Sequence, residues 1–380
     1  MMYVRGSSQD YDDWAVLTGD EGWSAKNMQH YMKKHQTLEP MDPAITDRST
    51  MPFLAKFHGA GGPVHTSFND TVSPVERSVI KACEEATGIF NTPADPWSGD
   101  HIGFYHTLGS VLRTGPNQGK RSYSARYCHE LHKRQRNLHV LCETLVNKIL
   151  LDAGKATAVS IALKGREFTI SAKREIIVCC GTIKTPQLLE LSGIGDPEIL
   201  RAAGVACKIP NRGVGANVQD HPMSFVTFAM KPDVSISENL PGGLGTAAEQ
   251  YIKAQRGPQS CIIGVQGYFP ARGILSDAEL EEIVQSIQET KPTSEFHAQQ
   301  LAMTISHLRS KDSANVQVVL LPASASPRGV EHQSQFIQPR QPDSPDGITF
   351  LLCVQYPVSR GYIHIASPGQ LITSKATIYK

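Results

Sequence analysis

The chain has 380 residues, 40% apolar and 19% charged, enough to bury a sizeable core in two domains and well outside the disordered class. Lys and Arg number 37 against 36 Asp and Glu, so no broad field draws the chain to nucleic acid or an anionic membrane. The eight cysteines form no CxxC, which argues against a structural zinc site and points to free thiols in a reducing compartment.

Taken in order, residues 1–40 read as a loop and then a helix. Asp20-Glu21-Gly22-Trp23-Ser24 supplies turn and cap, and Met28, Tyr31 and Met32 recur at helical spacing. No basic stretch followed by an apolar run marks a secretory signal, so a cytoplasmic location is the default expectation. Residues 40–70 are rich in Pro and Gly and read as irregular covering chain, whereas Pro74–Ala86 and Arg126–Arg136 have helical spacing. Asn137–Leu141 alternates like a strand. Val146–Leu150 and Ala156–Leu163 form an expected hairpin around Asp152-Ala153-Gly154-Lys155, with Phe168–Ser171 adding another strand.

Ile176–Cys180 is a continuous apolar run, as expected of a strand covered on both faces, with its two cysteines buried. Gly181 breaks it, Thr185-Pro186 is the expected start of a helix over Pro186–Leu191, and Ser192-Gly193-Ile194-Gly195 ends that helix. Past residue 225 the expected strands are Met223–Met230, Val316–Leu321 and Ile348–Gln355. A surface helix over Ala278–Gln288 turns Leu280, Ile283, Val284 and Ile287 to one face. No apolar run approaches the roughly 20 residues that span a bilayer.

The unit at 178–195 combines a strand, a glycine and a helix start, where backbone can approach a ligand and the helix N-terminus offers partial positive charge. Alone it is equally a packed βα crossover with no ligand. Its residues, Gly181-Thr182-Ile183-Lys184-Thr185-Pro186-Gln187-Leu188-Leu189-Glu190-Leu191-Ser192-Gly193-Ile194-Gly195, resemble the second signature of the glucose–methanol–choline (GMC) oxidoreductases position for position. Val214–Pro222 (VGANVQDHP) resembles the family's VGxNLxDH segment. Met2-Tyr3-Val4-Arg5-Gly6 with Asp10 and Asp12, Gly19–Trp23, Arg121–Arg126, Arg136–Val140 and Ser359–His364 also fit. The similarity covers residues 1–366 and leans toward the fungal aryl-alcohol oxidase-like branch.

The resemblance implies an α/β plus α+β fold: an incomplete FAD-binding, Rossmann-like domain over 1–225, then a mixed-sheet substrate-binding domain over 226–380. It implies FAD as cofactor, a small alcohol as substrate, hydride transfer to the flavin to give an aldehyde or ketone, and a role in fungal secondary-metabolite biosynthesis. Neither nucleic acid nor membrane is implied as a partner. The family's GxGxxG is not found, and His58-Gly59-Ala60-Gly61-Gly62 matches a covering segment of the family instead. Met1 falls inside the flavin-loop motif, and the C-terminal histidine signature has no counterpart, so the chain is expected to be truncated at both ends. None of the fourteen histidines is carried over as a catalytic base, and His364 is expected to face outward from a strand. The cofactor contacts carried over are Val146, through its backbone to the adenine, and Gly181 and Thr182 on the flavin side.

Rival motifs carry less. His129 and His132 with His139 suggest a metal, but a basic solvated helix explains them. Asp220-His221 reads as structural, and no GxSxG elbow supports a hydrolase. The alternative to an alcohol oxidoreductase is a catalytically inactive remnant or pseudoenzyme, motivated by the expected absence of both the phosphate loop and the catalytic histidine segment.

Overall fold

In a computed structural model, which describes residues 2–231, 234–235, 246–261, 264–332, 335–336, 345–369 and 374–378, several of these local signals are realised closely. Helix Pro74–Thr87 starts with a capping box between Ser73 and Glu76, with proline in its first turn, and stops at Gly88 in the left-handed conformation. The helix expected over 278–288 spans Asp277–Glu289 behind a Ser276–Glu279 capping box. It buries Leu280, Val284 and Ile287, on the order of 1.5–3 kcal/mol each, and leaves Ile283 largely exposed.

The residues divide into two compact units, each drawn from two stretches: Met1–Arg134 with His221–Tyr356, and Gln135–Asp220 with Pro357–Lys380. The expected boundary near 225 falls inside strand Met223–Met230.

In the first unit, strands Met223–Met230, Asp346–Val354, Val316–Leu321 and Val265–Phe269 lie side by side in that order, every pairing antiparallel. Val318 and Leu320, two apart and so on one face, pack with Val265, Phe269 and Ile348 against Val75, Val79 and Ile80 of helix Pro74–Thr87 and against Phe104. Helices Ser8–Thr18, Ala25–His35, Ser124–Arg134, Thr246–Ala254, Asp277–Glu289 and Glu295–Arg309 also belong to this unit, with short strand pairs such as Gln36–Leu38 with Val64–Thr66.

In the second unit, strands Thr144–Asp152, Lys155–Leu163 and Arg166–Ser171 form an antiparallel meander. The first turn is Ala153-Gly154, with φ of 46° and 81°, the two positive values that a tight hairpin with right-handed strand twist requires. Beside the meander stand helices Gly181–Leu191 and Pro197–Ala202 and the strand pair Gly361–Ile365 with Ser374–Ile378. The rest of the tail read as unrelated, 370–373 and 379–380, lies outside the described residues.

The structure corrects three of these local expectations and adds a helix. Ile176–Cys180 is not a strand: no strand among the described residues runs beside it to supply ladder partners, Ile177 is 75% exposed, and Cys179 and Cys180 are exposed rather than buried. Asn137–Leu141 is also unpaired, with Val140 and Leu141 about half exposed. The helix expected to begin at Pro186 begins at Gly181, so Pro186 sits inside it. Helix Ser8–Thr18 is an element that periodicity missed, because Ala15 alone is buried; its signal was the Ser7–Asp10 capping box.

Candidate functional site

Helix Gly181–Leu191 is fixed at its C-terminal end and open at its N-terminal end. At the closed end the Ser192 hydroxyl donates to the Leu188 carbonyl (2.6 Å) and accepts from the Ile149 amide (2.8 Å), tying the helix to the meander. Gly193 has φ 88°, and a Cβ there would sit 2.7 Å from the Ala206 carbonyl oxygen. Glu190 is fully buried. Its carboxylate accepts from His364 Nδ1 (2.6 Å) and from the Ile365 amide (2.8 Å), so the strand Gly361–Ile365 is clamped to the helix. His364 is therefore a paired, mostly buried residue and not an outward one.

The second half of the signature is thus architectural. Its first half is free of that packing. Gly181 has φ 79°, a conformation that glycine takes readily, and no atom lies within 4 Å of where a Cβ would be. The Cys180 side chain makes no capping bond. Pro186 has no N–H to donate four residues back, so the Thr182 carbonyl loses its intrahelical partner.

Two cavities flank this open end. One, about 690 Å³, is lined by Gly181, Thr182, Thr185 and Pro186 on one side and by Asn211 and residues 213–219 on the other. Its far wall is the VGANVQ segment. Gly215 (φ 74°) passes 2.2 Å, measured from an added Cβ, from the Ile363 carbonyl oxygen, and Asn217 takes the left-handed backbone at φ 59°. The second cavity, about 300 Å³, is lined by residues 144–147 of the meander and by Cys180, Lys184, Gln187, Leu188 and Leu191.

Val146 therefore lines one cavity, and Gly181 and Thr182 line the other. Sequence reasoning missed Asn147. The ladder skips it, pairing Val146 with Ile161 and Lys148 with Ser160, so it is a bulge that turns a polar side chain inward. It is 3% exposed, its amide nitrogen reaches Glu167 at 3.4 Å, and its Oδ1 has no partner among the described residues. A Thr-Leu-Val-Asn run reads as plain strand, so nothing in the sequence marks the bulge. In the segment leading to strand Gly361–Ile365, burial pushes the Arg360 guanidinium below its usual value while Nη1 donates to the carbonyls of Pro357 (2.7 Å), Val358 and Ser359.

The open glycine, the freed carbonyl, the bulged main chain and the unpaired buried Oδ1 fit a flat heterocyclic group that presents ring donors and acceptors. The glycines of His58–Gly62 fit nothing of the kind. A Cβ at Gly59 would lie 2.0 Å from the Lys33 carbonyl oxygen, and one at Gly62 would lie 2.1 Å from the His35 carbonyl carbon. At Gly59 and Gly62 glycine serves close backbone packing, whereas a Cβ at Gly61 would meet nothing within 4 Å. His129 lies on helix Ser124–Arg134, the side chain of His132 falls outside the described residues, and no cluster of three metal-ligating side chains occurs among the described residues. Within the same limits, no helix is long and apolar enough to cross a membrane.

The sequence model of the GMC oxidoreductases matches residues 1–223. A dehydrogenase of Monascus purpureus, mpl7, is 31% identical over 388 aligned positions, covering 98% of this chain and 61% of the relative. Alcohol oxidase 2 of Komagataella phaffii is 33% identical over 253 positions, covering 64% of this chain and 35% of the relative. Among solved structures, an FAD-dependent oxidoreductase from Chaetomium thermophilum superposes with a TM-score of 0.83 at 21% identity, covering 99% of this chain and 63% of that one. The shared fold is mixed α/β, with a Rossmann-like FAD-binding region and a separate sheet domain. The chain spans about 61% of the length of the Monascus relative.

Proposed function

Because the chain belongs to the GMC oxidoreductase family, we propose that it holds FAD at the open end of helix Gly181–Leu191 and oxidises a small alcohol to an aldehyde or ketone. The observation that carries this reading is the pair of cavities at that helix start, each lined by residues of the signature or of the strand that the family resemblance marks for the cofactor.

When bound, the flavin supplies a two-electron acceptor for hydride. The chain's own residues do the rest of what is assigned here. The Val146 main chain orients the adenine, with the bulge at Asn147 leaving its groups out of the regular ladder. Gly181 lets backbone approach the ring closely, and the first turn of the helix favours negative charge near it. The wall 213–219 excludes water from the opposite side.

Within the family we assign the chain to the branch that resembles fungal aryl-alcohol oxidases, on the motifs above, and place its reaction in the tailoring of a fungal secondary metabolite. The Monascus dehydrogenase is a fungal relative across 98% of this chain, which supports that lineage.

A second reading, an inactive remnant, is favoured by one observation: the apolar run Ile176–Cys180 has no ladder partner among the described residues and leaves Ile177 75% exposed. The two readings separate by spectroscopy. Titration of the purified chain with FAD, followed by visible absorbance after gel filtration, is expected to retain close to one flavin per chain. No retained flavin overturns the cofactor assignment. Retained flavin that no aliphatic or aromatic alcohol bleaches anaerobically establishes the remnant.

A further inference from the structure

The first unit contains a second constellation that the flavin chemistry does not use. A cavity of about 490 Å³ opens between the start of helix Ser8–Thr18, the segment Gly99–Ile102 and the end of helix Glu295–Arg309. Three of its lining residues form a chain of hydrogen bonds. Ser313 Oγ lies 2.6 Å from His307 Nδ1, and His307 Nε2 lies 2.7 Å from Asp13 Oδ2. The other carboxylate oxygen of Asp13 accepts from the Gln9 side-chain amide at 2.7 Å. Tyr356 stacks flat on the imidazole, with ring centroids 3.9 Å apart and planes 15° apart, and its hydroxyl donates to Asp10 at 2.8 Å.

The direction of these bonds follows from charge. Burial pushes the Asp13 carboxyl up, but the hydrogen bonds from His307 and Gln9 outweigh it and hold the group below its usual value, so it is ionised and accepts only. His307 Nε2 must then carry the proton. In the neutral imidazole Nδ1 is then the atom that accepts from the Ser313 hydroxyl. A nucleophile bonded to a base, and a base oriented by a carboxylate, is the triad arrangement, which is recognised by geometry and not by chain order or by a GxSxG motif. A purely structural tie between the two helices needs the same bonds but no cavity beside the serine. Here the cavity falls within the range of small-molecule sites.

We propose that Ser313, His307 and Asp13 form an acyl-transfer site for small carboxylic esters, with Ser313 as nucleophile, His307 as general base and Asp13 as the positioning residue. Ser313 Oγ bonds to the acyl carbon while its proton passes to His307 Nδ1. The ester C–O bond breaks and the leaving alkoxide takes that proton. Water, deprotonated by His307, then attacks the acyl-serine, releasing the carboxylic acid and returning the proton to Ser313. The hydroxyls of Ser306 and Ser310 line the same cavity and are donors at hand for the developing oxyanion.

The test uses the full chain with 4-nitrophenyl acetate as substrate and a fluorophosphonate as serine-directed probe. Expected are release of 4-nitrophenol and a probe adduct mapped to Ser313, both lost in S313A, with H307Q at least about 100-fold slower. D13N is expected to lower kcat for 4-nitrophenyl acetate with KM little changed, and D13E to restore part of that rate; unchanged labelling in D13N removes Asp13 from the assignment. An adduct absent from Ser313 in the unsubstituted chain, or hydrolysis by S313A at the original rate, overturns the proposal. The mapping requires no variant to fold.

Discussion

The clamp between Glu190 and the strand Gly361–Ile365 gives the sharpest test of how the signature works. Glu190 is 0% exposed, and its carboxylate satisfies two donors, His364 Nδ1 and the Ile365 amide. Replacing it with alanine orphans both, at about 1–3 kcal/mol each, for a loss of about 2–6 kcal/mol. Glutamine retains one acceptor and turns an NH2 toward the second donor, so about 1–3 kcal/mol is lost. His364 keeps some access to water, whereas Ile365 is 7% exposed and its amide cannot be resolvated without opening the strand. The readout is therefore amide hydrogen exchange over 361–365, followed by mass spectrometry. At 1.4 kcal/mol per tenfold, E190Q is expected to speed exchange there by about 5- to 150-fold, and E190A by more. Helix Asp277–Glu289, which belongs to the other unit, is the internal reference. Unchanged exchange over 361–365 in E190Q would mean that the carboxylate is not what holds the strand.

Further expectations follow from single positions. Gly181→Ala and Gly193→Ala both place a side chain at positive φ, but the second also meets the Ala206 carbonyl oxygen at 2.7 Å. G181A is expected to cost about 1 kcal/mol and G193A clearly more by urea unfolding, and equal losses would contradict the packing described. Asn147→Val removes a buried acceptor without a partner and suits a strand, so thermal unfolding of the flavin-free chain is expected to rise or hold steady. A marked fall in stability would show that Oδ1 is satisfied. Burial pushes the Cys261 thiol up to about 12 and that of Cys83 to about 11, so neither forms appreciable thiolate at pH 8. A disulfide reagent at that pH is expected to label the exposed Cys179 and Cys180 and to spare Cys261, and labelling of Cys261 would refute its burial. The Asp13 carboxyl is held below its unfolded value of 3.8, so it contributes stability that is present above that pH and lost as pH falls through its lower folded value. Acid unfolding of D13N is expected to lack this component, which a comparison of urea midpoints between pH 5 and pH 2 measures.

What the sequence disclosed depended on whether the signal was local. The hairpin turn, the capped helix Pro74–Thr87 and strands Met223–Met230 and Val316–Leu321 were legible because caps, turn residues and period-2 alternation act over a few positions. Ile176–Cys180 was misread because a ladder is a property of two strands, and the neighbour is not written in the run itself. Helix Glu295–Arg309 was missed because histidine and threonine, His297, Thr304 and His307, occupy positions on its buried face. The signature was readable as a whole from its resemblance. That Glu190 and Ser192 serve packing while Gly181 and Thr182 face open space emerges only from partners that are distant in the sequence, such as His364 and Ile149. The triad-like chain is the extreme case, since Asp13 and His307 lie 294 positions apart.

The unpaired Ile-Ile-Val-Cys-Cys run has a consequence for the meander that precedes it. It is uncharged and rich in β-branched residues, and it follows a meander whose outermost strand, Arg166–Ser171, is exposed at every residue. Among the described strands Arg166–Ser171 pairs with Lys155–Leu163 alone, so its outer main-chain groups are satisfied by water and carry the sheet's unprotected edge.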